Sequence, residues 1–153
     1  MQIDLSSKRV VVTGASRGVG LAIARAFSAE GARVAICARG LEKVEEVAKE
    51  LADSAGEIIA RSVDVTDSAA VTGFVEEVVS TWGGVDILVN NAGQGRSGNL
   101  DTLTPEDIIE HANVLQLGHF RFAQAVVPHM RKQKWGRIID INALAGTIPV
   151  SYT

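Results

Sequence analysis

The sequence predicts an α/β protein, a doubly wound parallel sheet with helices on both faces. Three observations point there. Short runs rich in β-branched residues alternate with segments of helical spacing along the 153 residues. Those runs are apolar on both faces, as strands covered from two sides must be. Glycines mark the joins between helical and extended segments.

In chain order the β-rich runs are RVVVT (9–13), RVAIC (33–37), EIIARSV (57–63), DILVN (86–90) and RIIDI (137–141). Between them Val19, Ile23, Ala26 and Phe27 recur at helical spacing, as do Val44, Val47, Ala48 and Leu51. Gly31, Gly56, the pair Gly83 and Gly84, and Gly136 stand where a helix C-cap needs positive φ before the next strand. Thr104-Pro105-Glu106-Asp107 reads as an N-cap, a proline at the first helical position and an acidic first turn; Asp67 starts another helix in the same way. Over 116–134, Leu117, Phe120, Ala123 and Val127 form one apolar face and Phe122, Val126 and Met130 a second. Covering one side of a sheet needs a single stripe, so the second predicts a subunit interface, with a broader intrachain core as the alternative.

The length fits one domain spanning 1–153, with no low-complexity linker. Hydrophobic content of 46% and a net charge of −3 give no electrostatic reason to expect nucleic acid or an anionic membrane as partner. The basic run RKQKWGR (131–137) reads as a helix C-terminus whose cations oppose the macrodipole. Cys37, the single cysteine, sits in an apolar run and reads as a buried structural thiol. No leader and no apolar run of membrane length is recognised, so a cytoplasmic protein is expected. His111, His119 and His129 lack carboxylates or thiols at ligand spacing, and no metal site is expected; His119 is assigned to a helix interface.

The stretch VVVTGASRGVG (10–20) carries the most information. A strand ends in Gly14 and a helix opens near Gly18. Gly14 permits the tight turn, Gly18 a close backbone approach, and Gly20 the packing of helix on sheet. Exposed N–H groups and the helix dipole then face a pyrophosphate. The triplet follows a strand and opens a helix within a βαβ unit, which is the context such a site requires.

The G-x-x-x-G-x-G spacing, with NNAG at 90–93, DVT at 64–66, VVPHM at 126–130 and WGRIIDI at 135–141, resembles the classical short-chain dehydrogenase/reductase family, in particular its 3-oxoacyl-reductase-like members. The resemblance covers the whole chain. It implies a Rossmann-like sheet of order 3-2-1-4-5 and a nicotinamide dinucleotide held by Gly14, Ser16, Arg17, Gly18, Val19 and Gly20. Asp64 and Val65 would lie along the adenine, and Asn91, Ala92 and Gly93 below its ribose. The second strand ends Cys37-Ala38-Arg39, so the place of a ribose-selective carboxylate falls on Ala38. Arg39 with Arg17 would hold a 2′-phosphate, favouring NADP(H) over NAD(H). A small carbonyl or alcohol is the implied substrate, and a homodimer or homotetramer through helices 104–134 the implied assembly.

The family's hydride transfer uses a tyrosine as general acid, a lysine four residues later, a serine that orients the carbonyl and an asparagine in the proton relay. A phenol titrates about three pH units above neutrality and must be tuned down by a nearby cation. This sequence departs from that pattern. The asparagine place falls on Leu115, with Asn113 two residues away, about 200° round an α-helix. The serine place falls on Ala143, and Asn142 beside it points to the opposite face of a strand. The family separation puts the tyrosine about four residues beyond Tyr152, which remains the candidate acid only if the loop is shortened. Gln94 and Arg96 follow the fourth strand as possible substrate contacts.

The resemblance also implies two further strands that cover 137–141, so the chain is expected to be the first three-fifths of a longer one. Two functions stay open: an NADP-linked oxidoreductase, or a catalytically degenerate dinucleotide-binding relative serving as a regulatory or structural subunit.

Overall fold

The computed structural model describes residues 5–52, 57–93 and 101–142. Strands and helices alternate as the sequence predicts: β1 (Arg9–Thr13), α1 (Gly18–Ala29), β2 (Arg33–Ala38), α2 (Leu41–Ala52), β3 (Ile58–Ser62), α3 (Ser68–Trp82) and β4 (Ile87–Asn90). There follow α4 (Pro105–Ala112), a π-helical turn (Asn113–Leu117), α5 (Gly118–Lys132) and β5 (Arg137–Asp140). The five strands form one parallel sheet in the order β3-β2-β1-β4-β5.

Alternation along the strands divides the core into two layers. Val10, Val12, Val34 and Ile36 face α1 and α2, packing with Ala24, Val44, Val47 and Leu51. Val11, Ala35, Cys37 and Leu88 face the other way, onto Val71, Phe74, Val75 and Val78 of α3 and Phe122, Val126 and Met130 of α5. Adjacent strand residues point to opposite faces, so a run such as VVV feeds both layers at once.

The helix starts follow local chemistry. Asp67 caps α3, its Oδ1 accepting from the amides of Ala69 and Ala70 at 2.8 and 3.1 Å. Thr104 and Asp107 form a reciprocal capping box on α4. α5 carries His129, Arg131 and Lys132 in its last turn.

Two expectations need correction. A helix does start at Pro105, as read, but the helix over 116–134 is not separate from it: the two are joined through the π turn, and α5 runs Gly118–Lys132. Gly136 does not supply positive φ; Lys134 does, at 56°. Gly136 is there for space, since a Cβ would sit 2.5 Å from Met130 Cγ. Of the two apolar stripes, Phe122, Val126 and Met130 are core, whereas Leu117 and Phe120 are 48% and 60% exposed. β5 is exposed along its length. Among the described residues no helix is long and apolar enough to cross a membrane.

At the sheet's amino end, Arg9 ties the start of β1 to the start of β4. Its guanidinium donates to both carboxylate oxygens of Asp86, at 2.7 and 2.8 Å, and to Gln133 at 2.7 Å. Burial pushes the Asp86 carboxyl up, but the Arg9 bonds outweigh it and hold it below the usual carboxylate range.

Candidate functional site

The chain reverses its direction of winding between β1 and β4, and their carboxyl ends part there to leave a crevice. The β1–α1 turn forms one side. Gly14 takes φ +65° and Gly18 φ +58°, conformations that L side chains rarely adopt. A Cβ on Gly18 would meet nothing within 4 Å, so this backbone faces open space. Gly20, by contrast, is filled from behind: its Cβ would stand 2.5 Å from the Gly14 carbonyl oxygen and closer still to Asn91.

α1 opens without a side-chain cap. Its N-cap, Arg17, is extended and its side chain takes no amide, unlike the capped starts of α3 and α4; its carbonyl accepts only from Leu21, at 3.4 Å. The amides of Gly18, Val19 and Gly20 therefore stay open to an anion, and the helix dipole favours one.

The opposite side is the end of β4. Asn91 Nδ2 donates to the carbonyls of Thr13 and Gly14 at 3.0 and 3.1 Å. Thr13 Oγ1 accepts from the amides of Asn91 and Ala92 at 3.0 and 2.9 Å. One carboxamide and one hydroxyl thus fix the two strand ends at a set separation.

Together these segments line a cleft of about 640 Å³. Of the residues singled out in the sequence, Gly14, Ser16, Arg17, Gly18, Val19, Arg39, Asp64, Val65, Asn91, Ala92 and Gly93 all lie on its walls. Gly20 does not; it lets α1 approach the strand ends. Missed were Gly40, Lys43, Val63 and Val114. Lys43 sits in the first turn of α2 and pairs with Glu46 at 2.7 Å, and at i, i+3 spacing it reads as an ordinary surface helix residue. Only the fold carries it to the wall that Arg17 and Arg39 share.

Asp64 is held rather than loose. Its Oδ1 accepts from the backbone and hydroxyl of Thr66 at 2.9 and 2.7 Å, and these bonds, helped by Arg39 and Arg121, keep its carboxyl below the ordinary range. Cys37 is wholly buried next to the turn, and burial pushes its thiol up to about 12. It is structural, as read.

At the π turn, Leu115 Cδ2 lies 2.7 Å from the point where a Cβ on Gly93 would stand. The leucine covers the glycine. Asn113 is committed elsewhere, its Oδ1 accepting from Arg121 at 2.8 Å. The two residues have different partners, so Asn113 does not replace a relay group at 115, although the helix there is π rather than the α geometry assumed. Ala143, Tyr152, Gln94, Arg96 and Gly56 lie outside the described residues. Asn142 is exposed.

A parallel sheet of this order, with an uncapped glycine turn at the strand reversal, defines the Rossmann-like class of nucleotide-binding α/β proteins. Residues 8–153 match the pattern of the short chain dehydrogenase family, and the chain belongs to that family. It is 37% identical over 142 residues to the oxidoreductase UcpA of Salmonella typhimurium, covering 93% of this chain and 54% of that protein. The 3-oxoacyl-(acyl-carrier-protein) reductase FabG of Thermotoga maritima is 35% identical over 142 residues, covering 93% and 58%. Among solved structures, a metagenomic short-chain oxidoreductase in complex with NADP superimposes with a TM-score of 0.89 at 39% identity, over 97% of this chain and 68% of that one. L-Sorbose reductase from Gluconobacter frateurii, complexed with NADPH and L-sorbose, gives 0.94 at 35% identity, over 99% and 58%. The chain spans about half the length of the curated relatives it matches.

Proposed function

We propose that this chain is the NADP(H)-binding part of a short-chain oxidoreductase that exchanges hydride between NADP(H) and a small carbonyl or alcohol. The observation that carries this reading is the cleft itself. An uncapped helix start and an open Gly18 face it from one side, and Arg17, Arg39 and Lys43 share its walls with a single carboxylate, Asp64. This donor set fits a dinucleotide with an extra phosphate. The turn amides of 16–20 would take the diphosphate, and the three cations the 2′-phosphate. Val63 and Val65 offer an apolar wall for a flat base, while Asp64, kept ionised, accepts hydrogen bonds at its edge. NADP(H) when bound supplies the hydride; Asn91 and Thr13 keep the cleft walls at a fixed separation, so binding needs no rearrangement of the strand ends. Solved relatives bound to NADP and NADPH support the cofactor choice.

A second reading rests on Leu115. An aliphatic side chain covers Gly93 where the family pattern has a relay asparagine, which favours a relative that binds the cofactor without turning it over. One experiment separates the two: NADPH binding by calorimetry beside NADPH oxidation over a ketone and quinone panel, with the full-length protein. Binding with turnover supports the oxidoreductase; binding without turnover supports the degenerate subunit; no binding refutes both.

The exposed Ile108, Ile109, Leu117 and Phe120 on the 105–120 segment are the surface through which we read a homo-oligomer. Light scattering on the wild type and on Phe120→Glu tests it, a monomeric wild type being the refuting result.

A further inference from the structure

Behind the cleft wall three polar side chains from three elements meet, two of them largely buried and the third, Asp140, 49% exposed on β5. His119, in the first turn of α5, is 14% exposed. Its Nε2 lies 3.2 Å from the Ala92 carbonyl oxygen, and its Nδ1 lies 3.5 Å from Asp140 Oδ1 on β5. Asn90, on β4 and 1% exposed, stands opposite Asp140 in the sheet register. Its Nδ2 donates to Asp140 Oδ1 at 2.8 Å and to the His119 carbonyl at 3.4 Å.

The hydrogen-bond inventory at this cluster is uneven. Both imidazole nitrogens face oxygens that can only accept. A neutral ring carries one N–H and satisfies one of them; the imidazolium donates to both. Asn90 is oriented by Asp140 Oδ1, which it shares with the imidazole, and by the His119 carbonyl, since turning its amide over would set oxygen against oxygen. It keeps this orientation although, among the described residues, its own Oδ1 meets no donor, which costs free energy.

We propose that His119 is a positioning residue that, on taking a proton, clamps the Ala92–Gly93 peptide to Asp140 and so fixes the cleft wall for cofactor. This rests on the reading of that cleft as the NADP(H) site. Ala92 and Gly93 line the cleft, whereas His119 and Asp140 are not among its lining residues. The Ala92 amide is already tied to Thr13 Oγ1, so the carbonyl end of that residue is what His119 holds. Asp140 of β5 is the charged group that faces the ring, and Asn90 of β4 is neutral. Arg121, the nearest cation on α5, is engaged with Asn113, Ser68 and the Val65 carbonyl. Protonation therefore adds a second donor toward a carboxylate, and binding becomes tighter because the wall is ordered beforehand.

The test measures NADPH affinity of the full-length protein from about pH 5.5 to about pH 8, the range in which histidine changes charge, for wild type, His119→Gln and Asp140→Asn. Glutamine keeps an N–H for the Ala92 carbonyl but gains no proton. The ligand's own 2′-phosphate titrates near pH 6, equally in all three proteins, so the clamp is the difference between profiles. Wild type is expected to bind about threefold to tenfold tighter than His119→Gln at the acid end and equally at the alkaline end. Asp140→Asn, which removes the carboxylate that the second N–H would meet, is expected to lose most of that gain. Parallel profiles overturn the proposal. A ligand-free readout keeps it decidable: the Gly93 amide resonance, which belongs to the clamped peptide, should titrate together with the His119 ring in wild type and stay flat in His119→Gln. A Gly93 resonance indifferent to His119 also overturns it. If NADPH binds at no pH the cofactor reading falls, while the Gly93 titration still decides the clamp.

Discussion

Replacing Gly20 by alanine sets two effects of opposite sign against each other. Gly20 lies within α1, where exchanging glycine for alanine ordinarily stabilises by about 1 kcal/mol. Here the new methyl would stand 2.5 Å from the Gly14 carbonyl oxygen and 3.0 Å from its carbon, and would displace the Asn91 amide. Backbone cannot step aside as a flexible side chain would. Overpacking of this kind costs about 1–3 kcal/mol. Displacing Asn91 also endangers its bonds to Thr13 and Gly14, each worth about 1 kcal/mol. The helix gain offsets only part of this, leaving a net loss of about 3 kcal/mol. For a chain of this size that lowers the melting temperature by about 6–12 °C. Urea and thermal unfolding followed by circular dichroism measure it. The matched control is Gly73→Ala, exposed in α3 with nothing within 4 Å of its Cβ, which should stabilise by about 1 kcal/mol. A Gly20→Ala protein as stable as Gly73→Ala would refute the close approach of α1 to the strand ends.

Other expectations follow from the same contacts. Arg39→Ala should weaken NADPH binding about tenfold or more, as loss of a charge-assisted contact does, and leave NADH within about twofold; equal losses for both dinucleotides would count against a 2′-phosphate at Arg39. The Asp86 carboxyl is held below its unfolded value, so the stability it contributes is present above about pH 4 and drains away as pH falls through the folded value. Arg9→Met should therefore cost about 3 kcal/mol near neutrality by stranding a buried carboxylate, and less in acid, read from urea midpoints across pH. An equal cost at all pH values would show that Arg9 acts through packing alone. With its thiol buried and pushed up to about 12, Cys37 should resist an aromatic disulfide reagent at mildly alkaline pH and react at once in denaturant. Prompt reaction of the native protein would contradict the burial.

Much of the architecture was readable along the chain because it depends on neighbours in sequence. Asp67 and Thr104 cap helices whose amides lie two or three residues ahead, and Gly14 and Gly18 bend a turn a few residues long. The strand runs declare themselves because both faces of the sheet are covered, and residues of alternating direction must then all be apolar. Gly14, Ser16, Arg17, Gly18 and Val19 could thus be assigned to one wall of a cleft from the sequence alone, with Gly20 packed behind them. What depends on distant residues was not readable. Lys43 reads as one half of a surface helix pair until β2 and α2 carry it beside Arg39. Gly136 reads as a cap until Met130 is seen filling the space where its Cβ would be. The cluster of Asn90, His119 and Asp140 spans three elements, and no spacing rule links residues that far apart. Local dihedral and capping preferences act over a turn or less and leave their mark on composition. Contacts between elements are decided by register and packing, which one sequence expresses only after the whole sheet has closed around its core.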